Sequence, residues 1–208
     1  MKKTLLGLLF SAALIATSGL AANAADTPQT PQTPQTSQGT VGFKGGSLTI
    51  DNGATDLKGA SLDFGTNDIK AAAEDDKYEN TNKSAAVSVV DLRGTAEGWS
   101  LQVKQNEAFQ NKAAVTNKVL TGAILTLNGV LDASASTTGA DATVNNGVSL
   151  EALNSDKTLM AAPTGKGNGK NVADIKASTL MVPRTTARSQ GSYITTLTWS
   201  LNAAPVNE

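Results

Sequence analysis

Tyr193-Ile194-Thr195-Thr196-Leu197-Thr198-Trp199-Ser200-Leu201-Asn202-Ala203-Ala204-Pro205 is the stretch that decides the fold. Successive side chains of an extended chain point to opposite faces. Tyr193, Thr195, Leu197, Trp199 and Leu201 therefore share one face, and Ile194, Thr196, Thr198, Ser200 and Asn202 share the other. One face is mainly large and apolar, and the other is mostly hydroxyl and amide. That is the pattern of a strand buried on one side. Threonine, tyrosine, isoleucine and tryptophan also fit a pleated surface.

The same period recurs upstream. Trp99, Leu101 and Val103 alternate with Ser100, Gln102 and Lys104. Val87 and Val89 precede Asp91-Leu92-Arg93-Gly94; Ala123, Leu125 and Leu127 stop at Asn128-Gly129; Leu48 and Ile50 meet Asp51-Asn52-Gly53. Asparagine and aspartate before glycine are turn signals. Ala71 to Tyr78 and Glu107 to Leu120 each have room for a helical turn or two. The stretch from Ser134 to Asn171, rich in Ala, Ser, Thr, Gly and Asn, reads as strands with long polar loops. The expected fold is all-β: an antiparallel β-sandwich with long polar loops and at most one or two short helices.

The chain has 208 residues, enough for one domain and accessory segments. Residues 1–24 read as a secretory signal peptide: a basic Met1-Lys2-Lys3, an apolar run from Leu5 to Leu20, and Ala22-Asn23-Ala24 as a cleavage site. The competing reading, a membrane-spanning helix, needs a longer apolar run. Residues 25–40 form a linker. Thr27-Pro28-Gln29, Thr30-Pro31-Gln32 and Thr33-Pro34-Gln35 repeat every third residue, which favours an extended polyproline II spacer. Glycosylated threonines or a proline-rich ligand motif are the alternatives. Residues 41–208 form the domain.

Composition excludes several functions. Cleavage after Ala24 would remove Lys2 and Lys3 from 17 basic residues, leaving a net charge of about −3 against 18 acidic ones. No basic cluster supports nucleic-acid binding. The chain has neither cysteine nor histidine. That removes thiol and Ser-His-Asp catalysis, nearly all zinc sites and a lipid-modified cysteine. No cofactor, no metal and no membrane span in the mature chain are expected. A glycoside-hydrolysing carboxylate pair has no local context to mark it.

The two tryptophans both stand in Trp-x-Leu tripeptides, Trp99-Ser100-Leu101 and Trp199-Ser200-Leu201, one hundred residues apart. The segment from Tyr193 to Pro205 resembles the distal Y-x-x-x-L-T-W-x-L-x-x-x-P signature of the WxL surface-domain family of Gram-positive bacteria. Val89 to Gly94 together with Gly98 to Val103 resembles the family's proximal motif. The resemblance spans about residues 41–205. It implies a non-catalytic domain that attaches to the cell wall, with peptidoglycan as the usual ligand and other surface proteins as partners. The sequence holds no L-P-x-T-G sorting signal, so attachment is expected to be non-covalent and the protein secreted and wall-associated.

Trp99, Leu101, Tyr193, Leu197, Trp199 and Leu201 are the candidate binding residues by motif. Two readings stay open for them. They are core residues on a shared buried face, or one or both indoles are exposed and stack on a sugar or a protein partner. Glu74, Asp75, Asp76 and Glu79 read as a solvated acidic loop or a calcium site, without EF-hand spacing. Gly165-Lys166-Gly167-Asn168-Gly169-Lys170 lacks the phosphate-loop pattern and reads as a flexible loop.

Overall fold

The structure, a computed structural model, describes residues 35–53, 57–71, 73–113, 115–137, 139 and 141–204. The signal-peptide reading, most of the Thr-Pro-Gln repeat and Pro205 lie outside the described residues. Two compact units divide the chain, Met1–Val41 and Gly42–Glu208. In the first, residues 35–41 are exposed and carry no regular structure. The second holds every strand among the described residues.

Among the described residues fourteen strands follow one another: β1 (Leu48–Ile50), β2 (Asp76–Glu79), β3 (Ala86–Asp91), β4 (Trp99–Gln105), β5 (Gln110–Asn111), β6 (Ile124–Leu127), β7 (Val130–Leu131), β8 (Thr143–Val144), β9 (Val148–Ser149), β10 (Lys157–Ala162), β11 (Gly169–Asp174), β12 (Thr179–Val182), β13 (Tyr193–Ile194) and β14 (Leu197–Asn202). They form three four-stranded sheets, ordered β1-β3-β11-β7, β14-β4-β10-β8 and β2-β12-β6-β9, and a two-stranded pair, β13-β5. Every pairing is antiparallel. The fold is the all-β sandwich that the alternation implies.

The inner faces meet in one core. Val87 and Val89 of β3, Trp99, Leu101 and Val103 of β4, Leu125 and Leu127 of β6, and Leu159 and Met160 of β10 are buried in it. Alternation places those of β3, β4 and β6 there, because each is two positions from the next, while adjacent Leu159 and Met160 are both buried where the β10 register shifts between Thr158 and Met160. The Asn128-Gly129 turn does not close a hairpin. It carries the chain from β6 in one sheet to β7 in another. A Cβ at Gly129 would lie 2.7 Å from Val144 Cγ1 and 2.6 Å from the Asn145 carbonyl, so only glycine fits this crossing.

The helical turns expected in Ala71 to Tyr78 and Glu107 to Leu120 are not found among the described residues. Asp76–Glu79 is strand β2, paired with β12, and Gln110–Asn111 is strand β5, paired with β13. Both segments had only weak helical propensity, and tertiary pairing overrides it. Among the described residues the helical structure consists of two 3₁₀ turns, Asp51–Gly53 and Lys58–Ala60.

Candidate functional site

The two Trp-x-Leu tripeptides lie on neighbouring strands. In the β4–β14 ladder Leu201 faces Leu101, Trp199 faces Val103 and Leu197 faces Gln105. Residues directly opposite in an antiparallel pair share a face. Both tripeptides therefore point their tryptophan and leucine to the same side, into the core.

Their burial differs because their strands sit differently in the sheet. β4 has β14 on one side and β10 on the other, and Trp99 and Leu101 have no exposed surface. β14 is an edge strand, and Leu197, Trp199 and Leu201 are half-buried. Tyr193, on β13, is also half-buried. Of the six candidate residues, Trp99 and Leu101 can reach no ligand directly; the other four keep some surface.

The Trp99 indole N–H donates to the Gly167 carbonyl at 3.2 Å, and the Asn171 side-chain amide donates to the same oxygen at 2.9 Å. Gly167 has φ +80°, and a Cβ there would meet Trp99 Nε1 at 2.6 Å as well as the Ala162 side chain. The 165–170 loop, read from sequence as a flexible loop, thus lies against the indole with a buried glycine and holds its N–H.

A second element ties the two motifs together, and motif reading alone missed it. Arg93 grips Asp91 through Nε at 3.0 Å and Nη2 at 2.8 Å. It also donates to the Gly98 carbonyl at 2.8 Å, to Glu97 at 3.3 Å and to the Ala203 carbonyl at 3.2 Å. One guanidinium thereby joins the end of β3, the start of β4 and the end of β14. Asp91 is buried, and the Arg93 hydrogen bonds hold its carboxyl below its usual value despite the opposing effect of burial. The signal was present in the sequence as Asp91-Leu92-Arg93, two charged residues at strand spacing.

The other constellations resolve differently. Asp76 pairs with Arg188 at 2.6 Å and Lys70 at 3.5 Å, and Asp75 accepts from the Arg184 backbone N–H. The acidic stretch is thus drawn into contacts with the 184–188 segment. Among the described residues no group of three acidic, histidine or cysteine side chains is placed to hold a metal ion.

Beside Trp199 the core face opens into a cleft of about 1520 Å³. One wall is the loop from Leu57 to Ile69, the other is the segment from Arg188 to Trp199, and Phe109 and Leu125 are among the residues at its base. Phe64 meets Phe109 edge-on, with ring centroids 6.4 Å apart. The Tyr193 hydroxyl donates to the Asn117 carbonyl at 2.6 Å and accepts from the Ser189 N–H at 2.8 Å, which fixes the second wall. Thr195 anchors it again through the Glu107 carbonyl. A shallower gap of about 450 Å³ separates edge strands β1 and β14, lined by Leu48, Ile50, Leu201 and Ala203.

A family model matches residues 18–205, and its description is WxL domain, surface cell wall-binding. The chain belongs to the WxL family. The match covers both Trp-x-Leu tripeptides, the Arg93 anchor and the cleft. A WxL domain is a cell wall-binding surface domain, so the chain associates with the wall at the cell surface. No curated protein and no solved structure gives a significant match. Among the described residues no helix is long and apolar enough to cross a membrane.

Proposed function

We propose that this chain is exported by its leader, cut after Ala24, and held non-covalently to peptidoglycan by its WxL domain. There it works as a binding module in surface complexes, not as an enzyme. The observation that carries this reading is the family match over both motifs, whose description is wall binding. What supports it in the structure is the β4–β14 ladder, beside which the core face opens into a cleft at Trp199.

The test is sedimentation of the purified protein with isolated cell walls stripped of protein. Direct binding carries it into the pellet. A second reading is an interaction module that binds another anchored surface protein. The apolar gap beside the unpaired edge of β14 favours it, because such edges accept an added strand. On that reading the protein stays in the supernatant until the partner protein is added. Release of soluble sugar or peptide from the walls would overturn both.

A further inference from the structure

We infer that the cleft beside Trp199 is the wall-contact site and that its ligand is the N-acetylated glycan strand rather than an anionic wall polymer. The inference rests on the wall-binding reading above and gives that reading a place on the molecule.

Trp199 is the tryptophan at which the shared apolar face of the two motif strands reaches solvent. Trp99 and Leu101 are sealed, while Trp199 is half-buried and borders the cleft. An aromatic face is electron-rich. The C–H face of a pyranose ring is its natural partner, and Phe64 and Tyr193 add further aromatic surface to the same cleft. The β4–β14 ladder holds the indole in place through its backbone, so stacking would cost little ordering.

The polar groups of the lining match a sugar. Asn67, Gln190, Ser192 and Thr196 are neutral donors and acceptors suited to hydroxyl and acetamido groups. Arg188 also borders the cleft. Arg188 is already neutralised by Asp76 at 2.6 Å. The cleft walls also carry Asp63 and Asp68. Their charge opposes a phosphate-rich polymer and leaves a neutral acceptor as the better fit. Single drug-sized ligands fill about 300–1,000 Å³, so about 1520 Å³ has room for more than one sugar ring.

The test uses a soluble tetramer of β-1,4-linked N-acetylglucosamine as probe and tryptophan emission as signal. Three proteins are compared: the parent chain, Trp199→Ala, and Ser192→Arg. Ser192 is exposed at the cleft, so the arginine narrows the mouth without entering the core. Each is also sedimented with protein-free walls, and its melting curve is recorded. The expected result is saturable binding of the tetramer by the parent, weakened at least tenfold in both variants, with wall sedimentation reduced in parallel and Ser192→Arg melting as the parent does. If the parent and both variants sediment equally with walls, wall binding stands and the cleft is not its site. If the variants lose the walls but the parent ignores the tetramer, the glycan assignment is overturned. If the parent does not sediment, the wall-binding reading itself fails.

Discussion

Leu101 and Leu201, one from each Trp-x-Leu tripeptide, lie directly opposite one another across the β4–β14 ladder. Leu101 is fully buried and Leu201 half-buried. Leu101→Ala is therefore expected to cost about 2–5 kcal/mol, the range for a sealed core leucine, and Leu201→Ala distinctly less. Urea denaturation of both variants and of the double variant measures this. The pair should be non-additive, since the two side chains are cross-strand neighbours. Equal costs would mean that β14 is covered by something else in solution.

Gly167 is held at φ +80° against the Trp99 ring. Gly167→Ala adds a methyl group where the indole and Ala162 already sit, and in a backbone conformation unfavourable to alanine. A loss of about 2 kcal/mol or more is expected. The Trp99 emission should shift to the red as its hydrogen bond and seal loosen. Gly165→Ala, where a Cβ meets nothing, should show only the smaller backbone cost, since its φ is also positive at +85°. Matching melts for the two variants would remove the packing explanation.

The tryptophans should separate in a quenching experiment. Trp99 has no exposed surface and Trp199 is half-buried at the cleft. With acrylamide or iodide, about half of the emission should be readily quenched and the rest protected. Trp199→Phe should leave only the protected component. A single uniformly accessible population would contradict the burial of Trp99.

Acid should unlock the Arg93 anchor. Asp91 is held below its usual 3.8 by Arg93, Asp76 by Arg188, and Asp132 by the Ser134 hydroxyl. Unfolded carboxylates take up protons near pH 4, while these folded ones resist until lower pH. Their stabilisation is complete above about pH 5 and is lost as pH falls through the depressed folded values. The melting temperature should be nearly flat from pH 7 to about 5 and then drop. Asp91→Asn should melt lower at pH 7 and show a shallower acid drop, measured by circular dichroism. An unchanged acid slope in that variant would assign the drop to other groups.

Much of the site was legible as periodicity. Two residues apart on a strand means one face, so Trp99 with Leu101, and Tyr193 with Leu197, Trp199 and Leu201, could be grouped before any fold was known. Asp91 and Arg93 followed the same spacing, yet their partners, the Gly98 and Ala203 carbonyls, are backbone atoms that no residue pattern marks. The segments around Asp76 and Gln110 offer room for a helical turn or two in sequence because short polar stretches carry little local preference. Their strand state comes from β12 and β13, more than eighty residues away.

The all-β class, the apolar face of each strand and membership of the WxL family follow from alternation and residue identity within short stretches. That the two tripeptides are neighbours, that β4 is interior and β14 an edge, and hence that Trp99 is sealed while Trp199 borders a cleft, follows from the folded arrangement alone. Alternation specifies which way a side chain points. How deeply it is buried depends on what packs beyond it, and strand order is set by contacts between residues distant in the chain.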